Sequence, residues 1–273
     1  MLNFASGELL KSRADFSEKP HPHWVIDDFL TPRSLEVAHR YFDESLVGKF
    51  NYDHASQKKQ GQTDLTSMHP ELQKIVTHLC SREFTGVLEE LTGETGLHSD
   101  VSLHGGGLHQ TNQDGFLKIH KDFGTHPQHV TWRRRYNLIL YLTKDYESLS
   151  NDDLELWSDD LSVRVRSIKP KFNRAVIFET TNLFHGHPNP LQAPVEPRKS
   201  IALYYFVDTG HQLSTQSTKY RGTQGDSYGE RLRIYFDSLL VAVYNVLKRK
   251  LRFSDKAVQP LVYAAKFLLG RRK

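Results

Sequence analysis

The sequence predicts an α+β chain of 273 residues, with helices toward both ends and a single β core of jelly-roll type between them. Three observations carry that reading. From residue 101 onward, short apolar runs at 115–120, 135–143, 153–157, 162–168, 174–180 and 199–207 are separated by turn-forming residues. Runs of this length and spacing suit a sandwich or a double-sheet jelly roll. Before residue 101 the apolar positions recur instead at helical spacing. The lone cysteine, Cys80, excludes an intramolecular disulfide and a Cys-rich zinc site. Packing must therefore hold the fold, and a chain of this length can bury a core large enough to do so.

The elements follow in order. Residues 1–19 are polar and expected to be loosely attached. Residues 23–30 read as a strand running into a turn, after which Thr31 and Pro32 supply an N-cap and a first-turn proline for a helix to about Ser45. Residues 51–64, rich in Lys and Gln, are expected to be an exposed loop. Leu72, Ile75, Val76, Leu79, Phe84, Val87, Leu88 and Leu91 fall on a helical stripe broken near Ser81, which predicts one or two helices packed on a sheet. Gly105-Gly106-Gly107 marks a tight turn or bulge. It lacks the strand, the Gly-x-x-x-x-Gly-Lys and the helix of a phosphate loop, so nucleotide binding there is discounted.

The chemistry concentrates in the stretch from Gly115 to Phe123. On a strand, residues two apart share a face, so His120 and Asp122 present an imidazole and a carboxylate side by side. One further histidine from a distant strand would complete a two-histidine, one-carboxylate set, the usual cradle for non-haem Fe(II). In the next strand Asn137, Ile139 and Tyr141 alternate with Leu138, Leu140 and Leu142. That pattern fits a central strand whose polar members reach a cavity. Arg133-Arg134-Arg135 reads as a solvated basic run near the cavity mouth, and Phe123, His126, Gln110 and Trp157 are further lining candidates. Later come Leu154-Glu155-Leu156-Trp157, Asn173-Arg174-Ala175-Val176-Ile177-Phe178, Phe184-His185-Gly186-His187 and Arg198-Lys199-Ser200 before an aromatic strand.

Taken in this order, the pieces resemble the prolyl-4-hydroxylase-like branch of the Fe(II)/2-oxoglutarate-dependent dioxygenases. The resemblance spans roughly residues 100–207, with weaker similarity at 24–30. It implies a double-stranded β-helix with iron at its mouth, held by His120, Asp122 and a distal histidine. His185 and His187 share a face in an extended segment; the resemblance favours His185, directly before the glycine, with His187 as runner-up. It implies that Arg198 pairs the distal carboxylate of 2-oxoglutarate through its planar fork, joined by the Tyr141 hydroxyl and by Ser200. One departure is Asn151-Asp152-Asp153, where similar sequences carry Gly-Gly, and it bears on the shape of that loop. The implied activity is hydroxylation of a small molecule or a protein side chain, using Fe(II), 2-oxoglutarate and O2 and releasing succinate and CO2, with no catalytic residue needed beyond the metal ligands. The alternative is a non-catalytic, metal-binding β-helix or cupin-like protein.

The expected organisation is an oxygenase domain over 1–227, with its β core at about 100–210, and a basic tail over 228–273. Residues 229–273 hold eleven Lys/Arg against three Asp/Glu, a local +8, so the other 228 residues sum to −4 within a net charge of +4. The tail reads as amphipathic helices that cap the core, form a homodimer face, or lie on an anionic membrane. Nucleic acid is not expected as a partner, because aromatics do not interleave with the basic residues. No run is long and apolar enough to span a bilayer, and the start lacks a secretory pattern. A cytoplasmic protein is expected, with a place at the inner face of a membrane as the alternative.

Overall fold

The structure is a computed structural model. It describes residues 1–251 except 4–5, 149–150, 181, 193–195 and 215–216, and for 241–251 the backbone alone. Residues 252–273, with the apolar stretch expected at 258–269, lie outside the described residues.

In chain order the helices are α1 (Gly7–Arg13), α2 (Pro32–Arg40), α3 (Pro70–Leu79), α4 (Arg82–Thr92) and α5 (Tyr228–Leu251). The first seven strands are β1 (Asp15–Ser17), β2 (His23–Ile26), β3 (Phe50–His54), β4 (Gln57–Gln62), β5 (Leu97–Ser99), β6 (Gly107–Thr111) and β7 (Phe116–Lys121). The remaining seven are β8 (Trp132–Tyr141), β9 (Leu154–Trp157), β10 (Arg164–Ile168), β11 (Ala175–Glu179), β12 (Phe184–His187), β13 (Arg198–Asp208) and β14 (Lys219–Tyr220). The strands form one antiparallel, curled sheet in the order β1-β2-β11-β8-β13-β6-β4-β7-β12-β9-β10, a jelly-roll core. Its two ends meet, since Arg166 of β10 bonds His23 of β2 at 3.0 Å and pairs with Asp15 of β1.

Alternation along the central strands creates two apolar layers. Leu138, Leu140, Ala175, Ile177, Ile201, Leu203 and Tyr205 point outward and pack with Leu72, Ile75, Val76, Leu79, Phe84, Leu88 and Leu91 of α3 and α4. Each fully buried Leu or Ile contributes about 1.5–3 kcal/mol through desolvation. The opposite parity, Tyr141, Val176 and Phe178, points inward to meet Leu154, Leu156 and Ile168. Helix boundaries follow their caps: Thr31 accepts from the Ser34 amide, and Ser81 accepts from the Phe84 amide at 3.2 Å, which is why the stripe breaks there.

Two expectations are corrected. The N-terminal segment is docked, not loose: Leu10 is buried, the Gly7 amide donates to the Glu90 carboxylate at 2.7 Å, and β1 pairs with β2. Residues 51–64 are not a loop but mainly the hairpin β3–β4. Strand β4 bridges the two halves of the sheet, pairing with β6 at Gln60–Gln62 and with β7 at Gln57–Lys58. Its side chains are almost all polar on both faces, so they gave no apolar alternation to read. Gly107 meets it at close range: its φ is +87°, and a Cβ there would stand 2.1 Å from the Gln62 carbonyl oxygen.

Candidate active site

Strands β7 and β12 pair so that His185 lies opposite His120, and Asp122 follows β7 by one residue. Gly186 makes the approach feasible, because a Cβ would stand 2.7 Å from the Leu117 carbonyl oxygen and 3.0 Å from that of Lys118. Each imidazole is oriented from behind. His120 Nδ1 faces the Lys118 carbonyl at 3.0 Å, and His185 Nδ1 faces the Leu183 carbonyl at 3.3 Å. A carbonyl only accepts, so in the neutral ring Nδ1 carries the hydrogen and Nε2 keeps its lone pair.

Both of those lone-pair nitrogens face one carboxylate: His120 Nε2 is 3.4 Å from Asp122 Oδ1, and His185 Nε2 is 3.5 Å from Asp122 Oδ2. Three electron-pair donors turned toward one another repel unless a cation lies between them. Their ligand atoms all fall within 4.8 Å of one another. Burial, with a smaller push from His120, holds the His185 pKa down to about 3, so the ring is free to donate. Burial pushes the Asp122 carboxyl up, but Arg134 and the two histidines outweigh it and keep the pKa well below the usual range. Asn137 Nδ2 donates to Asp122 Oδ2 at 2.7 Å and Arg134 Nη1 lies 3.2 Å from the same oxygen, fixing the carboxylate rotamer. The donor set fits a divalent metal of the non-haem iron type.

Arg134 corrects a further expectation. It is only 1% exposed, not solvated, and its guanidinium carbon sits 3.3 Å from the Tyr204 ring centre and 4.2 Å from that of Phe123. The cause is a bulge: Tyr205 pairs with Tyr136 but Phe206 pairs with Arg134, so Arg135 is the extra residue and the strand's parity switches. Arg134 and Asn137 thereby reach Asp122 together. Arg135 pairs instead with Glu94 and Glu179, while Arg133 is exposed.

Further along the interior face Arg198 is buried. Its Nε donates to the Asp152 carbonyl at 3.1 Å, and its Nη2 donates to the Tyr141 hydroxyl at 3.4 Å. Ser200 pairs with Tyr141 in register and lies on the same strand face as Arg198. The loop at Asn151-Asp152-Asp153 thus contributes a main-chain carbonyl that aims the arginine. His187 is buried but outside the three-ligand group, and its Nδ1 has no hydrogen-bond partner among the described residues. Burial first, then the charges of Arg198 and Lys59, keep it well below the ordinary histidine range.

Among the lining candidates, Phe123 packs under Arg134. Gln110 bonds Asn112 at 2.9 Å and Trp157 bonds Glu155 at 2.8 Å. His126 belongs to a second cluster with Asp100 and His104. Sequence reasoning missed that cluster, the inward turn of Arg134, and Lys59 and His109 on β4 and β6. The bulge and the polar hairpin left no periodic signal for them.

A curled antiparallel jelly roll with two histidines and one carboxylate at its mouth defines a non-haem metal oxygenase architecture. Residues 106–206, the part of the chain that bears the site, match the family model of the 2OG-Fe(II) oxygenase superfamily. Its members are Fe(II)- and 2-oxoglutarate-dependent enzymes that use O2.

The structure is similar to a prolyl-4-hydroxylase from Pseudomonas putida (12% identity, TM-score 0.49, covering 68% of this chain and 92% of that one). It is also similar to a prolyl 4-hydroxylase from Phytophthora capsici (18% identity, TM-score 0.48, covering 89% and 82%). A third likeness is to HygX from Streptomyces hygroscopicus, solved with nickel, 2-oxoglutarate and hygromycin B (11% identity, TM-score 0.45, covering 68% and 83%). A comparison with curated proteins found no match.

Proposed function

We propose that the chain is a hydroxylase in which His120, Asp122 and His185 hold Fe(II) and Arg198, with Tyr141 and Ser200, holds the distal carboxylate of 2-oxoglutarate. The observation that carries this reading is the pair of Nε2 atoms turned on one carboxylate, with a buried arginine on a tyrosine at the far end of the same interior face. When bound, the metal and co-substrate supply the oxidising chemistry, with release of succinate and CO2. The chain's own residues orient and exclude. The Lys118 and Leu183 carbonyls fix both imidazoles, Asn137 and Arg134 fix the carboxylate, and the Leu154, Leu156 and Phe178 layer keeps water from one wall. No side chain need act as a general base. The substrate class includes small molecules and peptide side chains.

Anaerobic addition of Fe(II) and 2-oxoglutarate should give a weak charge-transfer band near about 500 nm, as such chelates do. Absence of the band, together with absence of succinate in air, would favour the non-catalytic binding alternative. Arg198→Met should weaken 2-oxoglutarate at least about 30-fold, the loss expected when one partner of a buried charge pair is removed. Binding of 2-oxopentanoate, which lacks the distal carboxylate, should change less than about threefold.

The domain assignment, 1–227 for the oxygenase and 228–273 for an appended tail, belongs to the same proposal. So does contact of the tail with an anionic membrane. Its support is a row on α5, Leu232, Tyr235, Phe236 and Leu239, exposed at the i, i+3, i+4, i+7 spacing of one face. The opposite side is anchored by buried Ile234 and by Asp237, 2.7 Å from His54. Among the described residues no helix is long and apolar enough to cross a membrane. Co-sedimentation with anionic but not neutral vesicles, lost in Phe236→Asp, would support this; a concentration-dependent dimer in solution would support the homodimer instead.

A further inference from the structure

The interior face of the sheet between the metal site and Arg198 carries a cation that neither site uses. Lys59 lies on β4, two residues from Gly61, which pairs with His109 of β6; His109 pairs in turn with Ser200, and Ser200 with Tyr141. Cross-strand partners share a face, so Lys59, His109, Ser200 and Tyr141 line one interior surface. Among the described residues the Lys59 ammonium has no hydrogen-bond or ion-pair partner, and the centre of the Tyr52 ring lies 5.5 Å from Nζ. It nevertheless feels the charges of both Asp122 and Arg198, and burial with Arg198 lowers its pKa to about 8, leaving it mostly charged at neutral pH. Burial first, then the charges of Lys59 and Arg198, hold the His109 pKa well below the ordinary histidine range, so it adds no second positive charge there.

With metal and co-substrate bound, the charges on this interior face would balance except at Lys59. The two charges of the metal offset the two carboxylates of 2-oxoglutarate, Arg134 offsets Asp122, and Asp152 stands beside Arg198. Lys59 is left without an anion. A partly buried ammonium costs desolvation energy that only a counter-charge recovers. We infer that Lys59 receives an anionic group, a carboxylate or a phosphate, on the molecule to be hydroxylated, so that the enzyme selects acidic substrates. This rests on the oxygenase reading above.

The test uses the full chain. First, the Fe(II)·2-oxoglutarate band is titrated in the native protein and in Lys59→Met. The two affinities should agree within about threefold; a loss of tenfold or more would assign Lys59 to the co-substrate and overturn the inference. Failure of the band to form in the native protein would count against the oxygenase reading itself, and the two failures are thereby separable. Second, the Zn(II)·2-oxoglutarate protein is acetylated with N-hydroxysuccinimide acetate at pH 8, and Lys59 labelling is followed by peptide mass spectrometry. Inorganic phosphate or acetate should slow labelling at Lys59 at least threefold while leaving exposed Lys58 unaffected. The more effective anion identifies the group on the substrate. Equal labelling of Lys59 with and without both anions would overturn the inference.

Discussion

Two clusters in this molecule offer a metal the same kinds of ligand, yet their surroundings dispose them to opposite ends. His120, Asp122 and His185 form one; Asp100, His104 and His126 form the other. In the first, backbone carbonyls occupy both Nδ1 positions and leave the Nε2 lone pairs turned on the carboxylate. In the second, His126 Nδ1 accepts from the Gln128 and His129 amides at 3.1 and 2.9 Å, so its hydrogen must sit on Nε2, 3.2 Å from Asp100 Oδ2. A metal there would have to displace that hydrogen and leave an anionic ring. Asp100 is also supplied with donors, the amides of Ser102 and His104 at 2.8 and 2.9 Å. The first cluster calls for a cation; in the second, Asp100 already accepts from two amides and the far nitrogen of His126 is taken by two more. What distinguishes them is the hydrogen bond on the far side of each imidazole, not the ligand list.

The largest expected effect breaks the first cluster. Asp122→Ala should lower Fe(II) or Co(II) affinity by more than about 100-fold, beyond what loss of a supporting partner costs, whereas Asp100→Ala should leave one metal per chain at native affinity. Metal content after dialysis checks both, and loss of metal in Asp100→Ala would erase the distinction. Next in size, Asp100→Asn should destabilise the fold by about 2–3 kcal/mol through a buried, multiply bonded carboxylate, read by denaturant unfolding.

That carboxylate also sharpens the contrast with pH. Burial pushes its pKa up, but bonds from His104, His126 and Ser102 more than reverse this and hold it below the ordinary value. A group whose folded pKa is depressed contributes stability above its unfolded value, about 4, and loses it as pH falls below that. Stability of the metal-free protein should therefore fall more steeply below pH 4 in the native chain than in Asp100→Asn. The smallest effect is expected for Asn137→Ala, which frees the Asp122 rotamer without removing a ligand; metal affinity should drop about tenfold with little change in folding stability.

Much of the fold could be read because side-chain period reports burial wherever one face of an element meets apolar atoms. The helix stripe, its break at Ser81 and the six strand runs were legible for that reason. The segments that misled have physical causes of their own. Strand β4 is built from Gln, Lys and Gly on both faces, so Lys58-Lys59-Gln60 carries no alternation. Arg134 looked solvated because one bulged residue, Arg135, reverses which side of β8 faces inward. Residues 7–13 looked loose because a seven-residue helix docked largely through Leu10 and Gly7 leaves little periodic trace.

By itself the sequence determined the layered α+β plan, the pairing of His120 with Asp122, and an arginine on a strand late in the core, since these depend on spacings within single elements. Only the tertiary structure decided that His185 and not His187 joins that pair, that Arg134 and Asn137 brace the carboxylate, that Lys59 lies on the same interior face, and that amides occupy the far nitrogen of His126 in the Asp100 cluster. Each of those depends on register between strands far apart in the chain and on which ring nitrogen a backbone group occupies, and neither is written in local order.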